Sequence, residues 1–396
     1  MSTSMTPSID IDIYSDELTL RPYEAYRRIR DAGPAVYLTP HDTWVVARYD
    51  NVREVLKDTE TFSSAAGVSL TAPVNEITKG TTLASDAPEH DTLRSIVASS
   101  LTPRALAGRK QGIVDQAERL VDDLVVRGEF DAVTELAQVL PLSVVPDFVG
   151  LPQEGRAQLL DWASAVFNAI GPPNERSQRS LPALAQLGDY AARLASTGEL
   201  AEGSLGAGVL AAAEQGRIPA AQCPALLLDY LGPALDTTIS AVGSAIYLFA
   251  RHPEQWDMVR RDPQLIPNAF NEVVRLETPI RGFCRQTTRP TSIGGVEIGP
   301  AERVLVLYAA ANRDERKWQD PDKFDITRRA GDHVGFGYGV HGCAGQGLAR
   351  IEAHAVLEAL AKRVSAFEVL SSNRLLNNVI RAFSAIRVRV TTSNGV

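Results

Sequence analysis

The chain has 396 residues, 44% hydrophobic and 22% charged, with 29 glycines and 23 prolines. That composition excludes a disordered, collagen-like or coiled-coil protein. Forty basic against 48 acidic side chains leave a formal charge of −8, which argues against indiscriminate nucleic-acid binding. A chain this long buries about three quarters of its unfolded surface, enough for one core around a pocket. Neither an internal repeat nor a low-complexity linker divides it, so a single domain over 1–396 is expected. The three cysteines, at 223, 284 and 343, cannot build a disulfide framework. At least one stays a free thiol, which points to the reducing cytoplasm.

From the amino end, Met1 to Ser8 holds no basic stretch followed by an apolar run, so no secretory leader is expected. Trp44–Ala47 reads as a short strand. Between Arg104 and Val126, Leu106, Ile113, Ala117, Leu120, Val121 and Leu124 recur near a period of about 3.6, with Gly128 as the stop. Comparable helical patterns cover Glu154–Ile170, Ser180–Leu194, Ala220–Ala250, Pro253–Arg260, Ile266–Glu277 and Ala344 to near Val364. Pro141 and Pro146 should interrupt the stretch after Glu135, and Gly171-Pro172-Pro173 should end the helix carrying Phe167. Pro233, inside the longest pattern, should remove a backbone bond and bend that helix over a groove. Thr291–Ile298 with its Gly294-Gly295 turn, Arg303–Tyr308 and Ile386–Thr391 read as strands. The longest uncharged apolar run, Thr237 to Ala250, falls short of the roughly 18 to 20 residues that cross a bilayer, so no membrane span is expected. The fold class is mainly α with small β-sheets at one side.

The densest chemistry lies in the loop 335–350, Gly335-Phe336-Gly337-Tyr338-Gly339-Val340-His341-Gly342-Cys343-Ala344-Gly345-Gln346-Gly347-Leu348-Ala349-Arg350. Glycines at alternate positions let the backbone pass close to something flat or bulky. Cys343 falls where a helix begins, so unpaired amides and the helix dipole would stabilise its thiolate. A thiolate held beneath a metal macrocycle accounts for both features. Three rival readings share these residues. Gly337, Gly339 and Gly342 fit G-x-G-x-x-G, but a dinucleotide site needs a preceding strand and a βαβ unit, and Arg329–Asp332 is loop-like. Zinc on His333, His341 and Cys343 lacks a fourth ligand and a known spacing. An inert buried cysteine leaves the glycines without a purpose.

The run matches F-G-x-G-x-H-x-C-x-G-x-x-L-A-R at every fixed position. That is the haem-ligand signature of the cytochrome P450 superfamily, which the chain resembles over nearly its whole length. Arg21-Pro22-Tyr23 and Arg30-Asp31-Ala32-Gly33-Pro34 match the family's early segment. The resemblance implies a cytochrome P450 fold enclosing a buried haem b, with Cys343 as the axial iron ligand. It implies propionate contacts from His341, from His90 and Arg94 of an H-x-x-x-R pair, and from Arg285. Glu272 and Arg275 form an E-x-x-R pair, and Arg328, after Trp318–Asp325, looks like the third member of the family's structural triad. The segment Pro233-Ala234-Leu235-Asp236-Thr237-Thr238 keeps the family's Asp-Thr but not the Ala/Gly-Gly before it. Asp and Thr in mid-helix are costly unless they serve something. By resemblance, Asp236 and Thr237 pass protons to reduced dioxygen, in a groove whose shape Pro233 and Ala234 alter.

Family alignment walls the substrate pocket with Val68, Leu70, Phe167, Ile170, Asp229, Ala234, Phe283 and Phe383, a lining suited to a flat ring. Phe167 to Glu175 is similar to bacterial members that attack para-substituted aromatic acids. Those hold the acid with arginine and serine, where this chain has Ala66, Asp229 and Tyr230. An aspartate there would repel a carboxylate. The expected substrate is therefore a neutral methoxyphenol of alkylguaiacol type, demethylated to a catechol and formaldehyde with O2 and two electrons. Arg281, if turned inward, would favour a para-substituted benzoate. Hydroxylation of another small hydrophobic molecule, or a haem-thiolate gas sensor or electron carrier, are the other readings. With only the residues to Val396 after Cys343, no fused reductase is expected. Electrons would pass from NAD(P)H through a ferredoxin reductase and a ferredoxin, docked near Arg109, Lys110 and Arg350.

Overall fold

The structure, a computed structural model, describes residues 7–392. Met1–Thr6, most of the stretch on which the leader reading rests, lie outside them. Helices α1 (Glu89–Ser99) and α2 (Pro103–Arg127) come first among those that position the site. The bounds of α2 follow from local chemistry. Thr102 accepts from the Ala105 amide at 3.3 Å, Pro103 takes the first helical position, and Gly128 closes the end at φ +73°. Next come α3 (Leu159–Ile170) and α4 (Glu175–Thr197), the latter capped by Asn174, which accepts from Ser177 N at 3.0 Å. Then follow α5 (Cys223–Leu231), α6 (Asp236–Arg251), α7 (Ile266–Glu277) and α8 (Gln346–Arg363).

Two proline readings need correction. The expected single helix from Ala220 to Ala250, bent at Pro233, is a 3-10 turn at Ala220–Gln222 and two helices, α5 and α6, separated by residues 232–235. Pro233 cannot supply an amide, and the chain leaves helical bonding there instead of bending through it. Pro141 and Pro146, by contrast, do not break their segment. Pro141 lies in the first turn of helix Val139–Val149, where a missing amide costs little, and Pro146 is carried inside it. The stretch Ala132–Val149 has the length and apolarity to cross a membrane, yet 61% of it is buried in this fold.

A six-stranded sheet takes in Ser8–Ile9, Val36–Leu38, Thr43–Val46, Arg303–Val306, Phe283–Thr287 and Phe62–Ser63, in that order. A long hairpin, Val364–Arg374 with Phe383–Thr392, pairs with Glu129–Asp131. The largest apolar cluster includes side chains from α2, α6, α7 and α8. Ridges of small and branched residues such as Ala241, Val242, Ala245 and Ile246 of α6 are almost wholly buried in it.

One buried ion cluster ties the helices to the cysteine-loop scaffold. Arg275 meets Glu272 in a two-pronged pair at 2.7 and 2.8 Å, both side chains having no exposed surface. Arg275 also donates to Asn312 O at 2.7 Å and Pro321 O at 2.8 Å. Arg328 closes the expected triad on Glu272 Oε1 at 3.2 Å. Such a pair is bought by specificity of arrangement more than by net stability, but removing one partner strands the other. Glu272→Ala is expected to cost about 3–5 kcal/mol in chemical denaturation. A loss under about 1 kcal/mol, as for an exposed pair, would contradict this reading.

Candidate active site

The cysteine loop is built by its own backbone. Cys343 N donates to Phe336 O at 2.8 Å, Gly337 N to Val334 O at 2.9 Å, and Gly342 N to Gly339 O at 3.0 Å. Gly337 and Gly339 sit at φ +73° and +72°, a region that favours glycine. A Cβ on Gly339 would stand 2.8 Å from Leu56 O, and one on Gly335 2.6 Å from Val274 Cγ1. The loop's own turns and packing thus leave no room for a side chain at Gly335 or Gly339. The residues before the loop form a 3-10 turn at Ala330–Asp332, not the strand a dinucleotide fingerprint requires. Among the described residues no His, Cys, Asp or Glu trio gathers to hold a metal, and His333 Nδ1 is taken by Gly335 N at 3.0 Å.

Helix α8 begins at Gln346, three residues after Cys343, with Gly345 as its cap. Burial pushes the Cys343 thiol up, while the amides of Gly345 and Gln346 and the guanidiniums of Arg94 and Arg350 pull it down. The other two cysteines lack this setting. Cys284 is pushed up to about 12 by burial, and Cys223 offers its sulfur only Val209 O at 4.0 Å. At Cys343 two amides of a helix start and two guanidiniums act together on the sulfur, and a bound cation such as iron would complete the deprotonation.

Four basic side chains converge beside this loop. His90 and Arg94 occupy successive turns of α1, and the His90 and His341 rings meet with centroids 4.4 Å apart. Arg94 donates to Gly342 O, and Arg285 to Cys284 O at 2.7 Å. His341 is pulled down to about 3, first by burial and then by Arg285, His90 and Arg94. Nε2 of both histidines is buried without a hydrogen-bond partner. Unpartnered ring nitrogens beside the Arg94 and Arg285 guanidiniums fit a bound dianion, and the two propionates of haem have that chemistry.

Asp236 and Thr237 open α6 and do not stand in mid-helix as the sequence suggested. Thr237 Oγ1 donates to Pro233 O at 2.9 Å, which leaves its lone pairs as acceptors. Asp236 Oδ2 is buried without a partner. Burial, helped by Asp161, pushes its carboxyl from the ordinary 3.8 to about 7, poised to give or take a proton near neutrality.

The expected pocket residues divide. Phe167 and Ile170 share one apolar cluster with Val379 and Ile380, and Phe283 packs against it. Leu70 N reaches Ile170 O at 3.3 Å, and Val68 is buried with its carbonyl taking Cys284 N at 2.9 Å. Ala234 lies half-buried in the break between α5 and α6. Phe383 turns elsewhere, its ring 4.6 Å from that of Tyr247 and 3.6 Å from the Arg374 guanidinium. Asp229 accepts from Thr82 N at 2.8 Å, and burial pushes it up to about 6 despite the amides of Thr82 and Leu83 and the charge of Arg94. Arg281 is buried facing Tyr14, donating to Asn378 O and, at 3.5 Å, to Ile13 O. Arg109 and Lys110 are exposed, and Arg109 stacks 4.4 Å over Phe148. Arg350 is tied inward to Asn271 at 2.6 Å.

Residues 210–374 match the model of the cytochrome P450 family. The chain is 40% identical over 390 residues to cytochrome P450 CYP199A2 of Rhodopseudomonas palustris, covering 97% of this chain and 95% of that one. It is 30% identical over 401 residues to linalool 8-monooxygenase of Pseudomonas putida, covering 95% and 97%. Among solved structures it is similar to cytochrome P450 CREJ in complex with (4-ethylphenyl) dihydrogen phosphate, with TM-score 0.86, 26% identity, and coverage of 93% and 97%. The chain belongs to the cytochrome P450 family. It is accordingly a haem-iron monooxygenase that uses dioxygen.

The setting of Asp236 makes a stability claim with a definite sign. The fold favours the neutral acid up to about pH 7, whereas an unfolded aspartate ionises near 3.8, so stability falls as pH climbs through that window. Asp236→Asn removes the titration. The variant is expected to melt above the parent at about pH 8, with the gap narrowing at about pH 5. A gap that is constant with pH would contradict it.

Proposed function

We propose that this monooxygenase demethylates a neutral, para-alkylated methoxyphenol in the cytoplasm. The balanced reaction takes the methyl ether, O2, NAD(P)H and a proton to the catechol, formaldehyde, water and NAD(P)+. The carrying observation is the charge around the candidate chamber. Asp229 is a half-buried carboxylate, and Arg281, the arginine the sequence offered to a benzoate, is engaged with Asn378, Ile13 and Tyr14. A second carboxylate brought beside Asp229 would be unpaired, and that is expensive. Phe167, Ile170 and Phe283 offer a ring apolar contact. The related CREJ structure, whose ligand carries a 4-ethylphenyl group, supports a para-substituted ring.

Haem iron bound through Cys343 supplies the activation of dioxygen. The chain's residues do the rest. Arg94 and Arg285 would neutralise the propionates with His90 and His341 placed to hydrogen-bond them, and the amides of Gly345 and Gln346 would hold charge on the sulfur. Thr237, its own proton committed to Pro233 O, accepts a hydrogen bond from water at the oxygen side, and Asp236 relays protons toward it. Oxygenation of the methyl carbon leaves a hemiacetal that expels formaldehyde. Electrons come from a ferredoxin and its reductase, and the exposed Arg109 and Lys110 offer an acidic partner a docking point.

Spin-state titration of the purified holoenzyme with a 4-alkylguaiacol and with 4-methoxybenzoate tests the reading. The neutral phenol is expected to bind at least about tenfold more tightly, a difference of about 1.4 kcal/mol, and to release formaldehyde in step with NAD(P)H consumed. Tighter binding of the benzoate would overturn it.

A further inference from the structure

The loop joining the two strands of the long hairpin, residues 375–382, is fixed to α3 and α4 by two adjacent asparagines with almost no exposed surface, Asn377 at 0% and Asn378 at 1%. Asn377 Nδ2 donates to Ser164 O at 3.2 Å, and its Oδ1 accepts from the amides of Val379 and Ile380, each at 3.0 Å. Asn378 N donates to Asn168 Oδ1 at 3.0 Å, and its Nδ2 to Asn168 O at 2.8 Å. Its side chain also makes a reciprocal amide pair with Asn174 at 2.8 and 3.0 Å and accepts Arg176 Nε at 2.9 Å. Every polar group of the Asn378 side chain is thereby used. The approach is so close that a Cβ on Gly171 would lie 2.4 Å from Asn378 Cβ.

This polar knot stands directly beside two apolar surfaces. Val379 and Ile380 follow Asn378 in the chain. Phe167 and Ile170 flank Asn168, and all four share one apolar cluster. Apolar walls held by dispersion alone tolerate sliding and repacking. Buried amides do not, because each unmade bond carries a desolvation cost, so a fully satisfied network admits one spacing. We infer that Asn377 and Asn378 are positioning residues that set the separation of the Phe167–Ile170 wall from the Val379–Ile380 wall, and through it the size of ligand the chamber accepts. The inference rests on the proposed reading of Phe167 and Ile170 as chamber walls, and on Val379 and Ile380 of the same apolar cluster facing that chamber. It does not depend on which substrate the enzyme oxidises.

Imidazole and 4-phenylimidazole, which coordinate haem iron directly, separate the two questions. The small probe reads the iron site, and the bulky one reads the walls as well. In holoenzyme carrying Asn378→Ala, the preference for 4-phenylimidazole over imidazole is expected to fall by about tenfold, the scale of one lost apolar contact. The imidazole affinity should stay within about twofold, a change worth under 1 kcal/mol. Gly171→Ala, which forces the same segments apart, should lower the ratio in the same direction. If Asn378→Ala does not accumulate as holoenzyme, Arg176→Ala decides. It removes one bond to Asn378 from a largely buried side chain and should lower the ratio by at least about twofold. Equal shifts for both probes, or an unchanged ratio, would overturn the inference. A guaiacol that fails to bind alongside a ratio that falls would reject the substrate reading and leave this one standing.

Discussion

Charge buried in a low-dielectric interior is the constraint on which the rest of this molecule depends. A sulfur anion, an iron and two carboxylates can share a protein core only if every charge meets its opposite or a fixed dipole. Cys343 meets that requirement with two amides at the mouth of α8 and two guanidiniums near by. His90, Arg94, Arg285 and His341 meet it from the other side, with two ring nitrogens left for a partner. The Glu272–Arg275–Arg328 cluster repeats the same logic one layer out, where it holds scaffold to helix.

Oxygen chemistry needs, in addition, protons delivered at one point and excluded elsewhere. The break at residues 232–235 frees backbone that an unbroken helix would have kept for itself. It offers Thr237 the Pro233 carbonyl and puts Asp236 at a helix start, where Oδ2 has no partner and burial pushes the carboxyl up to about 7. The Pro233-Ala234 departure from the family pattern falls in this break, and Asp236 and Thr237 begin the helix that follows it.

What could be read in the sequence was mostly short-range. The cysteine loop, the H-x-x-x-R pair on α1 and the E-x-x-R pair on α7 lie within a turn or two of chain, so spacing alone aligns them. The end of α2 was legible from Gly128, whereas Thr102 and Pro103, which set its start, were not read. Pro233 was placed correctly as a disturbance, but propensity does not say whether a helix bends or parts. Contacts far apart in the chain were not legible. Asp229 reaches Thr82 across 147 residues, and Asn378 reaches Asn168 across 210. Asparagines in a loop read as ordinary turn residues until folding brings their amides together. Within the cysteine loop, Gly339 and Gly335 are also required by the backbone of Leu56 and the side chain of Val274, long-range contacts that the spacing did not show.

The ligation of iron by the Cys343 sulfur is tested most directly by the absorption spectrum of the reduced protein under carbon monoxide. The account predicts the long-wavelength Soret band of a thiolate-ligated haem, absent from Cys343→Ala protein reconstituted in the same way. A nitrogen-type band in the parent, or a thiolate band that survives Cys343→Ala, would contradict it.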